Sequence, residues 1–73
     1  MSETAVEREK LAARLRNTRI YLSIKQVVAA KHAGVHPAEM CVIEKGERSV
    51  KATELAKLAR LYGTTTDKLL EGI

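Results

Sequence analysis

Three cations that lie close together in the chain are the side chains best suited to binding chemistry. Lys45, Arg48 and Lys51 fall within seven positions of one another. Lysine and arginine donate charge-assisted hydrogen bonds to phosphate and carboxylate oxygens, so this spacing predicts contact with an anionic surface. The alternative is a hydrophilic loop with a few solvated cations. The formal net charge of +4 favours the first interpretation and makes nucleic acid the first partner to consider.

Two histidines and one cysteine could in principle hold a metal ion. His32, His36 and Cys41 do not share one helical face, because Gly34 introduces a turn between them. A structural zinc site also needs a fourth ligand, and the sequence contains no second cysteine. We therefore expect no metal and no cofactor. Cys41 also lacks a resolving thiol for redox sensing.

No group of residues predicts catalysis. The sequence has no glycine-rich phosphate loop, no Ser–His–Asp set and no pair of carboxylates that a pocket would bring together. We therefore expect a protein that is not an enzyme.

The composition predicts one small helical domain spanning residues 1–73. Aromatic residues make up 3% of the chain, with no Phe or Trp, so the core must be aliphatic, which suits helices better than sheets. One cysteine argues against a disulfide-stabilised secreted scaffold, and no apolar run reaches transmembrane length. We expect a cytoplasmic, nucleoid-associated protein that does not bind membranes.

The stretch Gln26–Glu44 predicts two short helices joined by a tight corner. Three small residues lie on one side of the first helix, where a second helix can cross closely: Ala29, Ala30 and Ala33. Gly34 falls where the chain must reverse, and glycine takes a positive φ angle there at no steric cost. Met40 and Ile43 are three apart and share one face of the second helix. This arrangement is a helix-turn-helix.

These residues resemble the Cro/cI-type (XRE) family of bacterial and phage DNA-binding domains. The matching positions are Gln26, Ala30, Gly34, Val35, Met40, Ile43 and Glu44. The resemblance covers about residues 11–70, with residues 1–10 as an N-terminal extension of the first helix. It implies an all-α, compact five-helix bundle, lambda-repressor-like, that binds double-stranded DNA.

The resemblance also implies roles for individual residues. In this family the third helix of the bundle reads the DNA bases, and an arginine matching Arg19 pairs with a glutamate just after that helix, here Glu44. This pair would hold the first helix against the third. Gln26 donates to a DNA phosphate, aided by the positive end of its helix. The residues expected to contact the DNA backbone are Lys25, Gln26, Lys45, Arg48 and Lys51.

Capping patterns place the first three helices. The first helix is expected from Ser2 to Tyr21, and the capping-box spacing of Thr4 and Glu7 puts its start near Thr4. Either Ser23 or Lys25 precedes the second helix. The third helix has His36 at its N-cap and Pro37 in its first turn.

The last two helices follow from an apolar stripe and from glycine and threonine positions. The fourth helix starts at Ser49 or Lys51 and runs to Tyr62. Its apolar stripe consists of Leu55, Leu58, Ala59 and Tyr62. Thr64 or Thr65 caps the fifth helix, which Leu69 and Leu70 anchor.

The expected outer side of the third helix departs from the family pattern. The residues expected to face DNA bases are His36, Pro37, Ala38, Glu39, Cys41 and Val42. Pro37, Ala38 and Val42 stand where the family usually has polar side chains. Three interpretations follow: reading of thymine methyl groups aided by DNA shape, weak binding through the backbone, or a protein-binding patch.

We therefore predict a sequence-directed transcriptional regulator, a repressor of bacterial or phage origin that binds a palindromic operator as a homodimer. The candidate dimer residues are Tyr62, Leu70 and Ile73. The alternative for each of them is a place in the core, and for Leu69 the core is the expectation. Short relatives of this kind control phage immunity, restriction–modification and antitoxin operons. The alternative is a protein-interaction module, an adaptor or inhibitor that docks its apolar third helix on a protein partner. The chain is either a complete minimal regulator or a fragment cut at a domain edge.

Overall fold

Five helices form the architecture of residues 4–73, which the computed structural model describes. Their bounds are α1 Ala5–Tyr21, α2 Gln26–Ala33, α3 Pro37–Glu44, α4 Ala52–Leu61 and α5 Thr66–Leu69. No strand occurs in this range, so the all-α, five-helix prediction is confirmed. None of these helices combines the length and apolar character that crossing a membrane requires.

A capping box fixes the start of α1. The Glu7 N–H donates to the Thr4 hydroxyl oxygen at 3.0 Å, and the Thr4 N–H donates to Glu7 Oε1 at 2.9 Å. These two bonds satisfy N–H groups that a helix start otherwise leaves without partners. The predicted start near Thr4 is confirmed, whereas the earlier limit, Ser2, lies outside the described residues.

Lys25, not Ser23, precedes the first residue of α2. Ser23 lies in the preceding turn with a φ angle of +57°, and its N–H donates to the Ile20 carbonyl oxygen at 3.0 Å. The Ser23 alternative is therefore wrong, because an N-cap residue has extended backbone directly before the helix. Lysine has no side-chain acceptor, and no side chain caps α2.

The caps of the later helices follow the sequence expectations. His36 is the N-cap of α3, where its Nδ1 atom accepts the Ala38 N–H at 3.1 Å. Lys51, the later of the two predicted starts, precedes α4. The hydroxyl oxygen of Thr65 accepts a backbone N–H in the first turn of α5.

Gly34 forms the corner between α2 and α3. Its φ angle is +78°, and the following Val35 N–H donates to the Ala30 carbonyl oxygen at 3.0 Å. A Cβ atom at Gly34 would meet only Lys57 Nζ, at 3.6 Å. The backbone conformation rather than lack of space therefore requires glycine here.

The core lies where α2 packs against α3 and α4, with α1 packed against α3. The alanine seam predicted on α2 is buried, with Ala29 and Ala30 fully inaccessible. The largest fully buried side chains are Leu15, Met40, Ile43 and Leu58. Small side chains on α2 thus let two helices approach it closely, and aliphatic side chains fill the space around the crossing.

Tyr62 belongs to this core, which corrects its assignment as a dimer candidate. It is 6% exposed and packs with the apolar cluster, so it offers no surface to a second protomer. Burial raises the pKa of its phenol to about 12, and the negative charge of Glu44 adds to the rise. The apolar stripe of α4 predicts Tyr62 on the inner face of the helix, and the structure agrees with this periodicity.

Candidate nucleic-acid interface

The two sides of α3 differ in exposure. Met40, Ile43 and Glu44 are buried on its inner side. We call the six residues expected to face DNA bases the outer side of α3. Four of them are exposed: His36, Pro37, Ala38 and Glu39. Cys41 and Val42 are partly buried, so they contribute less surface than the others.

A bidentate ion pair braces α3 against α1. Arg19 Nε lies 2.7 Å from Glu44 Oε2, and Arg19 Nη2 lies 2.9 Å from Glu44 Oε1. The side chains are 12% and 1% exposed. Arg19 Nη1 also donates to the Ile24 carbonyl oxygen at 2.9 Å, so the same guanidinium fixes the α1–α2 turn. The two residues expected to pair are thus in contact, and paired hydrogen bonds of this kind fix orientation as well as distance.

Gln26 extends this brace to α2. Its Nε2 atom donates to Glu44 Oε1 at 3.0 Å, so one carboxylate joins three helices. An amide nitrogen carries two hydrogens, and the second can still serve a phosphate oxygen. The phosphate contact of Gln26 remains a prediction.

Three lysines expected at the DNA backbone stand at helix ends. Lys25 precedes α2, Lys45 follows α3, and Lys51 precedes α4, and all three are exposed. The first turn of α2 also contains no acidic residue. A lysine at an uncapped helix start adds its charge to the positive end of the helix dipole, which disfavours the free helix and favours a bound anion.

Arg48 differs from these lysines because its charge is paired. Its two terminal nitrogens each lie 2.9 Å from a Glu54 oxygen, and Nη2 lies 3.4 Å from Glu39 Oε2. These bonds lower the pKa of Glu54, which also accepts the Lys51 N–H at 2.9 Å. Arg48 therefore braces the loop between α3 and α4, and we expect it to contribute less than the lysines to phosphate binding. Sequence reasoning missed Glu54, although its position three residues after Lys51 is a recognised capping spacing.

Glu39 is the partner of Arg48 on α3. Its side chain is 53% exposed, and its carboxylate points toward the Arg48 guanidinium. This contact lessens the repulsion that a free carboxylate would exert on phosphates. Its contact with a base remains a prediction.

His32, His36 and Cys41 do not form a metal-binding group. Among residues 4–73, no three His, Cys, Asp or Glu side chains are placed to share a metal ion. His36 instead uses Nδ1 to cap α3.

The remaining dimer candidates lie at the C-terminal end. Leu70 is 39% exposed, whereas Ile73 is partly buried against the core. Arg14 Nη1 donates to the Leu69 carbonyl oxygen at 3.0 Å and also to the Glu71 carbonyl oxygen, which fixes this end on α1. Leu70 is therefore the more available of the two, and a role for either in dimerisation stays a prediction.

Comparison with known proteins places this geometry in a family. Residues 10–71 match the family described as helix-turn-helix domain. The crystal structure of the clp gene regulator ClgR from Corynebacterium glutamicum is similar, with a TM-score of 0.83 and 26% identity over 88% of this chain and 68% of that one. The restriction–modification controller protein C.AhdI from Aeromonas hydrophila gives a TM-score of 0.81 and 25% identity over 88% of this chain and 97% of that one. The search of curated proteins returned no match. A buried inner side, an exposed outer side and this match lead to one conclusion: the chain belongs to the helix-turn-helix domain family of DNA-binding regulators and has the XRE-type fold.

Proposed function

We propose that this protein is a transcriptional repressor that binds a palindromic operator as a homodimer in the bacterial cytoplasm, with half-sites about one DNA turn apart. The observation that supports it most is the bracing of α3: core packing and the Arg19–Glu44 pair hold the inner side, and the outer side stays exposed. ClgR is a gene regulator and C.AhdI is a controller protein, and likeness to both supports a regulatory role.

Docking on the DNA backbone relies on the lysines at the helix ends. Lys25, Lys45 and Lys51 each attract a phosphate, and the uncapped N–H groups at the start of α2 add hydrogen-bond donors. These contacts set the position of α3 without reading sequence. Their strength falls with salt because binding releases counterions from DNA.

Base recognition combines apolar contacts with one polar donor. Ala38 and Val42 pack against thymine methyl groups in the major groove. His36 Nδ1 accepts the Ala38 N–H, so it carries no proton, and a neutral ring then holds its proton on Nε2. The exposed Nε2–H can donate to a guanine acceptor or to a phosphate oxygen. Local DNA shape supplies the rest of the specificity.

A salt titration with a matched pair of lysine variants tests the docking surface. Fluorescence anisotropy of a labelled mixed-sequence duplex is measured between 50 and 200 mM salt, roughly the range over which phosphate contacts are lost. We expect Lys45→Ala to weaken binding to all sequences about equally and to reduce the slope of log affinity against log salt by about 1. Lys68→Ala on α5, an equal change of charge at an exposed site, should leave the slope unchanged. Equal slopes for the two variants would contradict this docking surface.

Base reading by Val42 is tested separately. Val42→Gln replaces an apolar contact with a side chain that hydrogen-bonds adenine, so it should change which sequence is preferred in a selection from random duplexes. The expected cost at the original base pair is about 1–3 kcal/mol. An unchanged preference would place Val42 outside the groove.

A protein-interaction module is the second candidate, and the apolar Pro37, Ala38 and Val42 favour it. The same titration separates the two functions. Binding to duplex DNA that weakens steeply with salt supports the regulator. Failure of the wild-type protein to bind at the lowest salt supports an adaptor that uses the outer side of α3 on a protein partner.

A further inference from the structure

The first turns of α1 contact the loop that follows α3, although the family match does not include these turns. The match starts at residue 10, whereas α1 starts at Ala5. Arg8 lies in these turns, and its Nε atom donates to the Gly46 carbonyl oxygen at 2.8 Å. The bond spans 38 positions in the sequence and is partly buried. It therefore fastens an extension of the first helix to the residue that follows Lys45.

The backbone of Gly46 also packs directly on α1. Gly46 is buried with a φ angle of +74°, and a Cβ atom there would lie 3.1 Å from both Cα and Cγ of Glu9. That distance is closer than ordinary van der Waals contact, and the Glu9 Cα belongs to the helix backbone. Glycine is thus required by both conformation and space, and the close approach lets the Arg8 side chain reach the carbonyl.

This contact fixes a segment that carries proposed DNA contacts. Lys45 directly precedes Gly46, and the Glu47 N–H donates to the Val42 carbonyl oxygen at 3.1 Å. Further along the loop, Arg48 is bound to Glu54 at 2.9 Å. The backbone around Lys45 is therefore held from α1 on one side and from α4 on the other.

We infer that Arg8 is a positioning residue for DNA binding. By fixing the Gly46 carbonyl, it holds Lys45 where this lysine meets a phosphate, so less conformational freedom is lost when the complex forms. Arg8 acts through the loop backbone rather than through its own charge. The inference rests on the proposed DNA-binding function and extends it to a part of α1 outside the family match.

A pair of arginine variants on the same helix tests this role. Arg8→Met keeps the aliphatic stem but loses the bond to Gly46, and Arg16→Met removes the same charge from an exposed site. Affinity for a mixed-sequence duplex is measured against salt, at a temperature where circular dichroism shows both variants folded. We expect Arg8→Met to bind roughly fivefold to tenfold more weakly than Arg16→Met near 0.1 M salt, with a slope smaller by about 0.9, the value of one phosphate contact.

Two further comparisons separate positioning from loss of stability. Lys45→Ala should weaken binding less in the Arg8→Met background than in the wild type, because the first change already removes the lysine's contact. Should Arg8→Met fail to fold, Arg8→Gln takes its place, because its Nε2 amide stands at the position of the arginine Nε and can donate to the Gly46 carbonyl without the charge. It should bind as tightly as Arg16→Gln.

The outcomes distinguish this inference from the proposed function. Equal affinities and slopes for Arg8→Met and Arg16→Met would overturn the positioning role alone. Where the glutamine variants are needed, weaker binding by Arg8→Gln than by Arg16→Gln would overturn it. A wild-type protein that shows no salt-dependent binding to duplex DNA would overturn the proposed function and the positioning role together.

Discussion

Two arginine–glutamate pairs hold α3 and the loop that follows it. The pairs differ in how deeply their side chains are buried and in how far apart their residues lie in the sequence. Arg19 and Glu44 are 25 positions apart, with side chains 12% and 1% exposed. Arg48 and Glu54 are only 6 positions apart, with side chains 26% and 9% exposed. Both pairs are bidentate, so geometry alone does not separate them. The difference indicates that the first pair holds helices together, whereas the second shapes one loop.

Removing the more deeply buried pair, Arg19–Glu44, should lower the free energy of unfolding the most. Arg19→Ala leaves the Glu44 carboxylate buried, with the Gln26 amide as its remaining side-chain hydrogen-bond donor among residues 4–73, so the free energy of unfolding should fall by about 3–5 kcal/mol. Arg16→Ala, an equal change of charge on the exposed face of α1, is the control. Thermal denaturation followed by circular dichroism measures both variants. A Tm equal to that of the wild type would show that the pair does not hold α1 to α3.

Removing the more exposed pair, Arg48–Glu54, should lower the free energy of unfolding by a smaller amount, which depends on pH. Because Arg48 lowers the pKa of Glu54 in the folded protein, the stabilisation is present above the unfolded pKa of about 4.3 and is lost as the pH falls through the folded value. Glu54→Gln should cost about 1–2 kcal/mol at pH 7. The difference in unfolding free energy from the wild type should shrink as the pH falls below about 4.3. Urea denaturation from pH 7 to 3 measures this difference, and a gap that stays constant would contradict the role of the ion pair.

Tyr62 lies near the Arg19–Glu44 pair, and removing its hydroxyl group should change the free energy of unfolding the least. Its hydroxyl oxygen is buried and has no hydrogen-bond partner among residues 4–73. Tyr62→Phe removes this polar atom and keeps the ring, so the free energy of unfolding should stay the same or rise by about 1 kcal/mol or less. Chemical denaturation measures it, with Leu58→Ala as a core control that should cost about 2–5 kcal/mol. A loss above 1 kcal/mol for Tyr62→Phe, larger than the roughly neutral change expected, would mean that the hydroxyl is stabilising.

Local sequence rules predicted most of the helix ends. The capping box of Thr4 and Glu7 and the positive φ angle of Gly34 each depend on residues that are close in the sequence. Local sequence patterns were therefore sufficient to predict these helix ends. Ser23 shows the limit of this approach. It precedes Gln26 by three residues, which is capping-box spacing, but its φ angle is +57° and it lies in the turn before α2.

Contacts between residues that are far apart in the sequence could not be predicted from local patterns. The Arg19–Glu44 pair followed from the family resemblance, since no spacing rule connects residues 25 positions apart. The bond from Arg8 to Gly46 was not predicted, and Arg8 lies outside the family match. For Tyr62 the helical periodicity indicated a place in the core, the alternative to a place in a dimer interface, and the side chain is buried.

At Lys25, which precedes α2, the residue that would best stabilise the helix differs from the residue that would best bind a phosphate. An aspartate or serine at position 25 would cap the helix and raise the unfolding free energy by about 1 kcal/mol, while removing the phosphate contact proposed for Lys25. Directed evolution for heat resistance alone would therefore favour loss of this lysine, and on the proposed function it would yield more stable proteins that bind DNA more weakly. Selection for thermal stability in this chain therefore has to be combined with selection for DNA binding.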